Sequence, residues 1–239
     1  MIPFYFSATK GKKEDTLLYN HNKHDYDIFF KENNIDPLAK VYNKAIDFAI
    51  QENIDTLVLM HDDIIIESDL TKKLPELLQQ FDVIGVAGTT ECKLEQPVLW
   101  HLLGGGLDGG KLHGAVAHIY GNEKYMTAFG GYPHRTVLID GVFIAIKREV
   151  FTSVRFDEDN PAGFHFYDLS YSLEAHKQKF KVGVGDIMIT HASPGLREFT
   201  DEFNKGQEYF LNKWKNGNSR KKTKLQRKKT KLQRKLGAS

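Results

Sequence analysis

Residues 56–66 read TLVLMHDDIII, an apolar run that ends abruptly in a histidine and two aspartates before three isoleucines follow. The continuous run TLVLM predicts a strand buried on both faces, of the kind found inside a parallel sheet. Its charged end puts Asp62 and Asp63 at the carboxyl edge of that sheet, where open α/β sheets bind their ligands. An unpaired carboxylate is too costly to bury in a core, so both residues face either solvent or a ligand. Hard oxygen donors at such an edge suit Mg2+ or Mn2+, which bridge a protein carboxylate to a diphosphate. Taken alone, the motif is explained equally well by a strand end capped with solvated aspartates.

Before this stretch, IPFYFSAT (2–9) reads as a first strand running into the polar loop TKGKKED, and DYDIFFKENN (25–34) holds a second short strand. Residues 37–54 place Val41, Ala45, Phe48 and Ala49 at helical spacing behind Pro37. After it, LTKKLPELLQQF (70–81) predicts a helix and DVIGVAGT (82–89) a buried strand. Strands and helices alternating in this way predict an α/β fold, with a mostly parallel central sheet and helices on both faces. Further along, residues 136–151 predict a strand running into a helix, 166–180 a helix, and KVGVGDIMITH (181–191) a last strand. Phe203, Phe210 and Trp214 share one face of a closing helix.

Between residues 91 and 135 the regularity stops, and a long irregular stretch inside a compact domain is usually functional. Part of it is expected to form a hairpin. Its GGGLDGG run (104–110) matches neither phosphate-binding glycine pattern, because Gly110 and Lys111 are followed by Leu112. It reads as a loop near an acceptor. His101, His113, His118 and His134 lack the tight spacing of zinc ligands and read as loop residues.

The chain has 239 residues, 41% hydrophobic and 27% charged, enough for one sizeable α/β domain or two small ones. No apolar run approaches the roughly 18 residues that cross a bilayer, and the start has no secretory-signal pattern. With a single cysteine, Cys92, no internal disulfide forms, and a reducing, cytoplasmic setting is expected. The net charge of +2 conceals a division: residues 220–235 carry ten Lys or Arg and no acid, leaving 23 basic against 31 acidic residues elsewhere. A folded domain over 1–217 is therefore acidic, and specific nucleic-acid binding by it is not expected. The low-complexity tail over 218–239, which repeats RKKTKLQ, reads first as a solvated extension and second as a peripheral contact with the inner membrane face.

Two further carboxyl-edge candidates follow. Asp168 stands at the start of its helix, as the N-cap or in the first turn, where a carboxylate is favourable on structural grounds alone. His191 ends an apolar strand and is followed by the small-residue loop ASPG, a plausible place for a metal ligand.

The order of elements over most of residues 1–195 is similar to that of family 2-like glycosyltransferases with a GT-A fold. HDDI resembles their DxD element with His61 in place of the first acid, which implies that Asp63 binds a metal. VYNKAID resembles the helix beside the donor nucleotide, with Asn43 matching its asparagine. LIDGVF resembles the acceptor-side strand, through Asp140 and Gly141. The 156–184 stretch resembles the one that supplies the catalytic base, here Asp168, and ITHASPG matches a late histidine that joins the metal site, here His191.

The resemblance implies transfer of a hexosyl group from a nucleotide-sugar donor, UDP-linked ahead of GDP-linked, to a hydroxyl of a glycan or other acceptor, with inversion. The donor is expected against Ser7, Asn43, His61 and Asp62, with Mn2+ or Mg2+ on Asp63 and His191. A nucleotidyltransferase is the first rival reading, though SATKGKK only partly matches the basic glycine-rich loop it needs. A non-catalytic nucleotide-sugar or glycan binding module is the second.

Overall fold

The computed structural model describes residues 3–121, 123–193 and 198–215. The basic tail, and with it the expected membrane contact, lies outside the described residues. A seven-stranded sheet forms the centre, in the order β2 (Ile28–Lys31), β1 (Pro3–Ala8), β3 (Thr56–Met60), β11 (Phe143–Lys147), β5 (Val83–Gly85), β12 (Val182–Val184), β9 (His134–Arg135). β2, β1 and β3 run parallel, as do β5 and β12. β11 is antiparallel to both its neighbours and β9 to β12, so the sheet is mixed. Every residue of β3 is buried, as its unbroken apolar run requires.

Helices cover both faces. On one side α2 (Leu38–Gln51), α5 (Arg148–Phe151) and α6 (Tyr167–Lys177) pack through Ile46, Phe151 and Tyr171. On the other, α1 (Leu17–Asn22) and α3 (Leu70–Gln80) pack through Leu18, Leu70 and Leu74. Sequence reading missed α1, which Thr16 opens by accepting a hydrogen bond from the Tyr19 amide at 3.2 Å. α4 (Trp100–Leu103) and a closing helix, α7, over residues 201–215 complete the fold, with Phe203, Phe210 and Trp214 buried as expected. No helix among the described residues is long and apolar enough to cross a membrane.

A second sheet of six strands alters the reading most. It contains β10 (Leu138–Ile139), β6 (Ala87–Thr89), β7 (Leu112–Tyr120), β13 (Ile189–His191) and β4 (Ile64–Ile66), with β8 (Glu123–Gly130) hairpinned onto β7. Three stretches that read as single strands are each divided between the sheets: 82–89 into β5 and β6, 136–147 into β10 and β11, 181–191 into β12 and β13. TLVLM and III likewise join different sheets as β3 and β4. Backbone periodicity is the same on both sides of such a crossing, so sequence pattern alone does not reveal it. The irregular 91–135 stretch contains α4, the β7–β8 hairpin and β9, which place His101 on a helix and His113, His118 and His134 on strands rather than in loops.

Candidate active site

The crossings bring the polar residues together. His61, Asp62 and Asp63 occupy the turn between β3 and β4, tied down by the His61 amide donating to the Val142 carbonyl at 3.1 Å. The Asp63 carbonyl accepts from the Ala192 amide at 2.9 Å, which draws the end of β13 alongside. Asp140 and Gly141 occupy the turn between β10 and β11, where the Asp140 carboxylate accepts from the Val142 amide at 3.0 Å. Asp168 reaches the same place from the first turn of α6. His61, Asp63, Asp140, Gly141 and Asp168 line one cavity of about 270 Å3, together with His191, Trp100, Phe164, Tyr167 and Phe203.

His191 Nε2 and Asp63 Oδ1 stand 3.2 Å apart, and His61 Nδ1 stands 3.8 Å from the same oxygen. Burial works against the charge on Asp63, but His191 and His61 outweigh it and hold the carboxyl below its usual range. Burial alone would lower the His191 imidazole; the adjoining Asp63 carboxylate outweighs it and holds the ring above its usual value. Yet Asp63 Oδ1 and His191 Nε2 are both shut off from solvent without a well-aligned hydrogen-bond partner. Two close polar atoms that do not point at each other have the arrangement of ligands converging on a third atom. His61, Asp63 and His191 each offer a donor atom, and all three lie within 4.8 Å of one another. This set of two nitrogens and a carboxylate oxygen fits a divalent cation.

Tyr167, which sequence reading did not single out, orients this group. Its hydroxyl donates to the Gly141 carbonyl at 3.2 Å, and its oxygen is hydrogen-bonded to His61 Nε2 at 2.7 Å. That contact holds the ring with Nδ1 towards Asp63, 3.8 Å from its carboxylate. Burial holds the His61 imidazole below its usual value. A tyrosine beside an acidic residue at a helix start was the only signal in the sequence, and many helices share it.

Asp168 is not the N-cap of α6; Phe166 is, at φ 66°. A left-handed backbone at a bulky residue costs about 1–3 kcal/mol and persists only where the surroundings enforce it. Phe203 and Phe210 of α7 do so, with ring centroids 4.9 and 6.1 Å from Phe166. The closing helix thus fixes the turn that aims Tyr167 and Asp168. Asp168 Oδ2 accepts from the Gly141 amide at 2.9 Å. Burial, and behind it the charge of Asp140, push its carboxyl up to about 7. A carboxyl so tuned exchanges protons near neutral pH.

The other expected donor contacts lie elsewhere. Ser7 is fully buried between β1 and β3, and its hydroxyl donates to the Met60 carbonyl at 2.9 Å. Asp62 lines a neighbouring depression of about 560 Å3 with Thr9, Lys10, Asp36 and Glu202, and Phe164 forms part of both walls. Asn43 is buried and faces the 155–158 loop: it accepts from the Phe156 amide at 2.9 Å and donates to the Phe156 carbonyl at 3.0 Å and to Glu158 at 2.5 Å. Asn43→Ala leaves those backbone groups unpaired and is expected to lower unfolding free energy by about 2–4 kcal/mol. Urea denaturation measures this; an unchanged midpoint would mean that the clamp carries no stability.

A model of the Glycosyltransferase like family matches residues 17–229. Among solved structures, the chain is similar to A197 from STIV, at 18% identity over 84% of this chain and 87% of that one, with a TM-score of 0.45. It is similar to a glycosyltransferase involved in the glycosylation of the major capsid of PBCV-1, at 11% identity over 87% and 98%, with a TM-score of 0.40. It is also similar to the inositol-1-phosphate CTP transferase from T. maritima, at 14% identity over 86% and 77%, with a TM-score of 0.33. No curated protein matches the chain.

Proposed function

This chain belongs to the Glycosyltransferase like family, and from that premise we propose that it transfers a hexosyl group from a nucleotide-sugar donor to an acceptor hydroxyl, with a divalent cation. The observation that carries the reading is the meeting of two groups in one cavity: Asp63 and His191 atoms shut off from solvent without a well-aligned hydrogen bond, and a half-buried Asp168 poised near neutrality. Asp168 takes the proton from the acceptor hydroxyl as that oxygen attacks the anomeric carbon. Attack from the face opposite the leaving diphosphate gives inversion. Trp100, Phe164 and Phe203 line the cavity with apolar surface beside these polar groups. Asp63 and His191, with His61 beside them, would hold a cation of the Mn2+ or Mg2+ type, which would supply neutralisation of charge on the leaving diphosphate.

The depression lined by Thr9, Lys10 and Asp62 offers the nucleotide a place next to that cation site. A nucleotidyltransferase reading has less support. Such an enzyme needs no general base for an acceptor hydroxyl, whereas Asp168 lines the cavity with its proton affinity raised.

Thermal-shift measurements with nucleoside diphosphates, with and without Mn2+, test the reading. A ligand that binds only the native state raises the melting temperature, by about 2.7 kcal/mol of stabilisation at a hundredfold excess over its Kd. The expected result is a shift with UDP, larger than with GDP, that needs the metal and disappears in Asp63→Ala. Equal shifts with and without metal would remove the cation from the proposal.

A further inference from the structure

We propose that the chain forms a two-fold dimer by pairing β2 with β2 of a second copy, antiparallel and centred on Phe29. Among the described residues, β2 is the terminal strand of the central sheet, and only β1 pairs with it. The Lys31 carbonyl accepts from the Thr9 amide at 3.0 Å, so the backbone groups of Lys31 point towards β1. Strand alternation then turns those of Phe29 the same way and those of Ile28 and Phe30 outward, where they are free to pair.

The side chains suit that edge. Phe29 is 56% exposed and Phe48 45%, although both belong to an aromatic group with Phe4 and Phe6. α2 covers β1 but leaves β2 bare, and the gap is an apolar groove of about 210 Å3 between Phe29, Phe48, Val41 and Ala45. Large apolar side chains exposed together beside a free sheet edge are the surface that strand pairing buries.

Charge selects the occupant and the register. A two-fold axis perpendicular to the sheet through Phe29 sets Phe29 against its own copy. Ile28 then faces Phe30 of the second copy through backbone hydrogen bonds, and Asp27 faces Lys31 of the second copy, twice over. Within the chain, neither Asp27 nor Lys31 has an ion pair among the described residues, and both are exposed. Lysine on an edge strand ordinarily discourages pairing; here an aspartate lies where the second copy's lysine falls. The aromatic groups of the two copies meet on the α2 side and close each other's groove.

Sedimentation equilibrium of the full chain decides the matter, and its readout is mass, so the outcome is independent of whether the transferase reading holds. The parent is expected at twice its 27.3 kDa. Asp27→Lys or Lys31→Asp alone creates two like-charge contacts and is expected to weaken dimerisation about tenfold or more. The double variant Asp27→Lys/Lys31→Asp restores both pairs and should recover the dimer. Phe29→Asp, at a position 56% exposed, should give a monomer with unchanged circular dichroism. A parent that stays monomeric at its highest soluble concentration overturns the proposal. So does a dimer indifferent to Phe29→Asp, or a double variant no better than the singles.

Discussion

Asp168→Asn is expected to reduce turnover by roughly 100- to 10,000-fold, the range that a positioned general base contributes. Asparagine keeps the shape and an oxygen to accept the Gly141 amide, but it cannot take a proton from the acceptor. Metal-dependent nucleotide binding should survive, because Asp63, His61 and His191 are untouched. A pH profile of the parent supplies a second check. The base works ionised and its carboxyl stands at about 7, so kcat/KM should fall as pH drops through that value.

Stability responds in the opposite sense. Asp168 is raised in the fold from 3.8 to about 7, so the native state holds the proton more tightly than the unfolded chain does. Its contribution is favourable and fully present below pH 4, and it is lost as pH rises towards 7. Above that, the half-buried carboxylate costs on the order of a few kcal/mol, which asparagine avoids. The variant should therefore melt higher than the parent at pH 8 and show little difference at pH 4. An active Asp168→Asn would remove the base assignment. A variant that is inactive but no more stable at pH 8 would show that Asp168 is not strained when ionised.

Much of this arrangement is legible in the amino-acid sequence, and the limits of that legibility are physical. β3 announces itself because five buried residues in a row admit little else, and its charged end marks a carboxyl edge. Asp168 and His191 are visible as polar residues at element ends, and the fold brings both to the cavity that Asp63 lines. The sheet crossings are not visible. Alternation and apolar runs specify a strand's faces but not which sheet it joins, so 82–89, 136–147 and 181–191 each read as one strand. Nor does a residue in a helix disclose its partner. Asn43 on α2 looks the same whether it holds a ligand or, as here, the backbone of Phe156 more than a hundred residues away. Tyr167 escaped notice for a related reason: its role lies in two hydrogen bonds to residues distant in sequence, His61 and Gly141.

Gly141→Ala is expected to damage the site as severely as loss of the base while removing no functional group. A Cβ at this position would collide with the Tyr167 hydroxyl, lie 2.7 Å from its ring and lie 2.9 Å from the Asp168 Cβ. Neither neighbour has room to yield. Tyr167 is buried against Tyr42, with ring centroids 5.5 Å apart, and is held by His61 at its hydroxyl. Asp168 is anchored to the Gly141 amide itself. The strain must therefore shift α6 away from the turn, and a displacement of about 1 Å at a reacting group costs on the order of a hundredfold in rate. Overpacking of this kind costs a further 1–3 kcal/mol or so in stability. The two variants separate by nucleotide binding. Asp168→Asn spares the cation group, whereas Gly141→Ala moves the tyrosine that orients His61 and should weaken the metal-dependent thermal shift as well. If Gly141→Ala loses turnover but keeps the full shift, Tyr167 does not connect the two halves of the site; if it loses both, one backbone position sets the cation group and the base together.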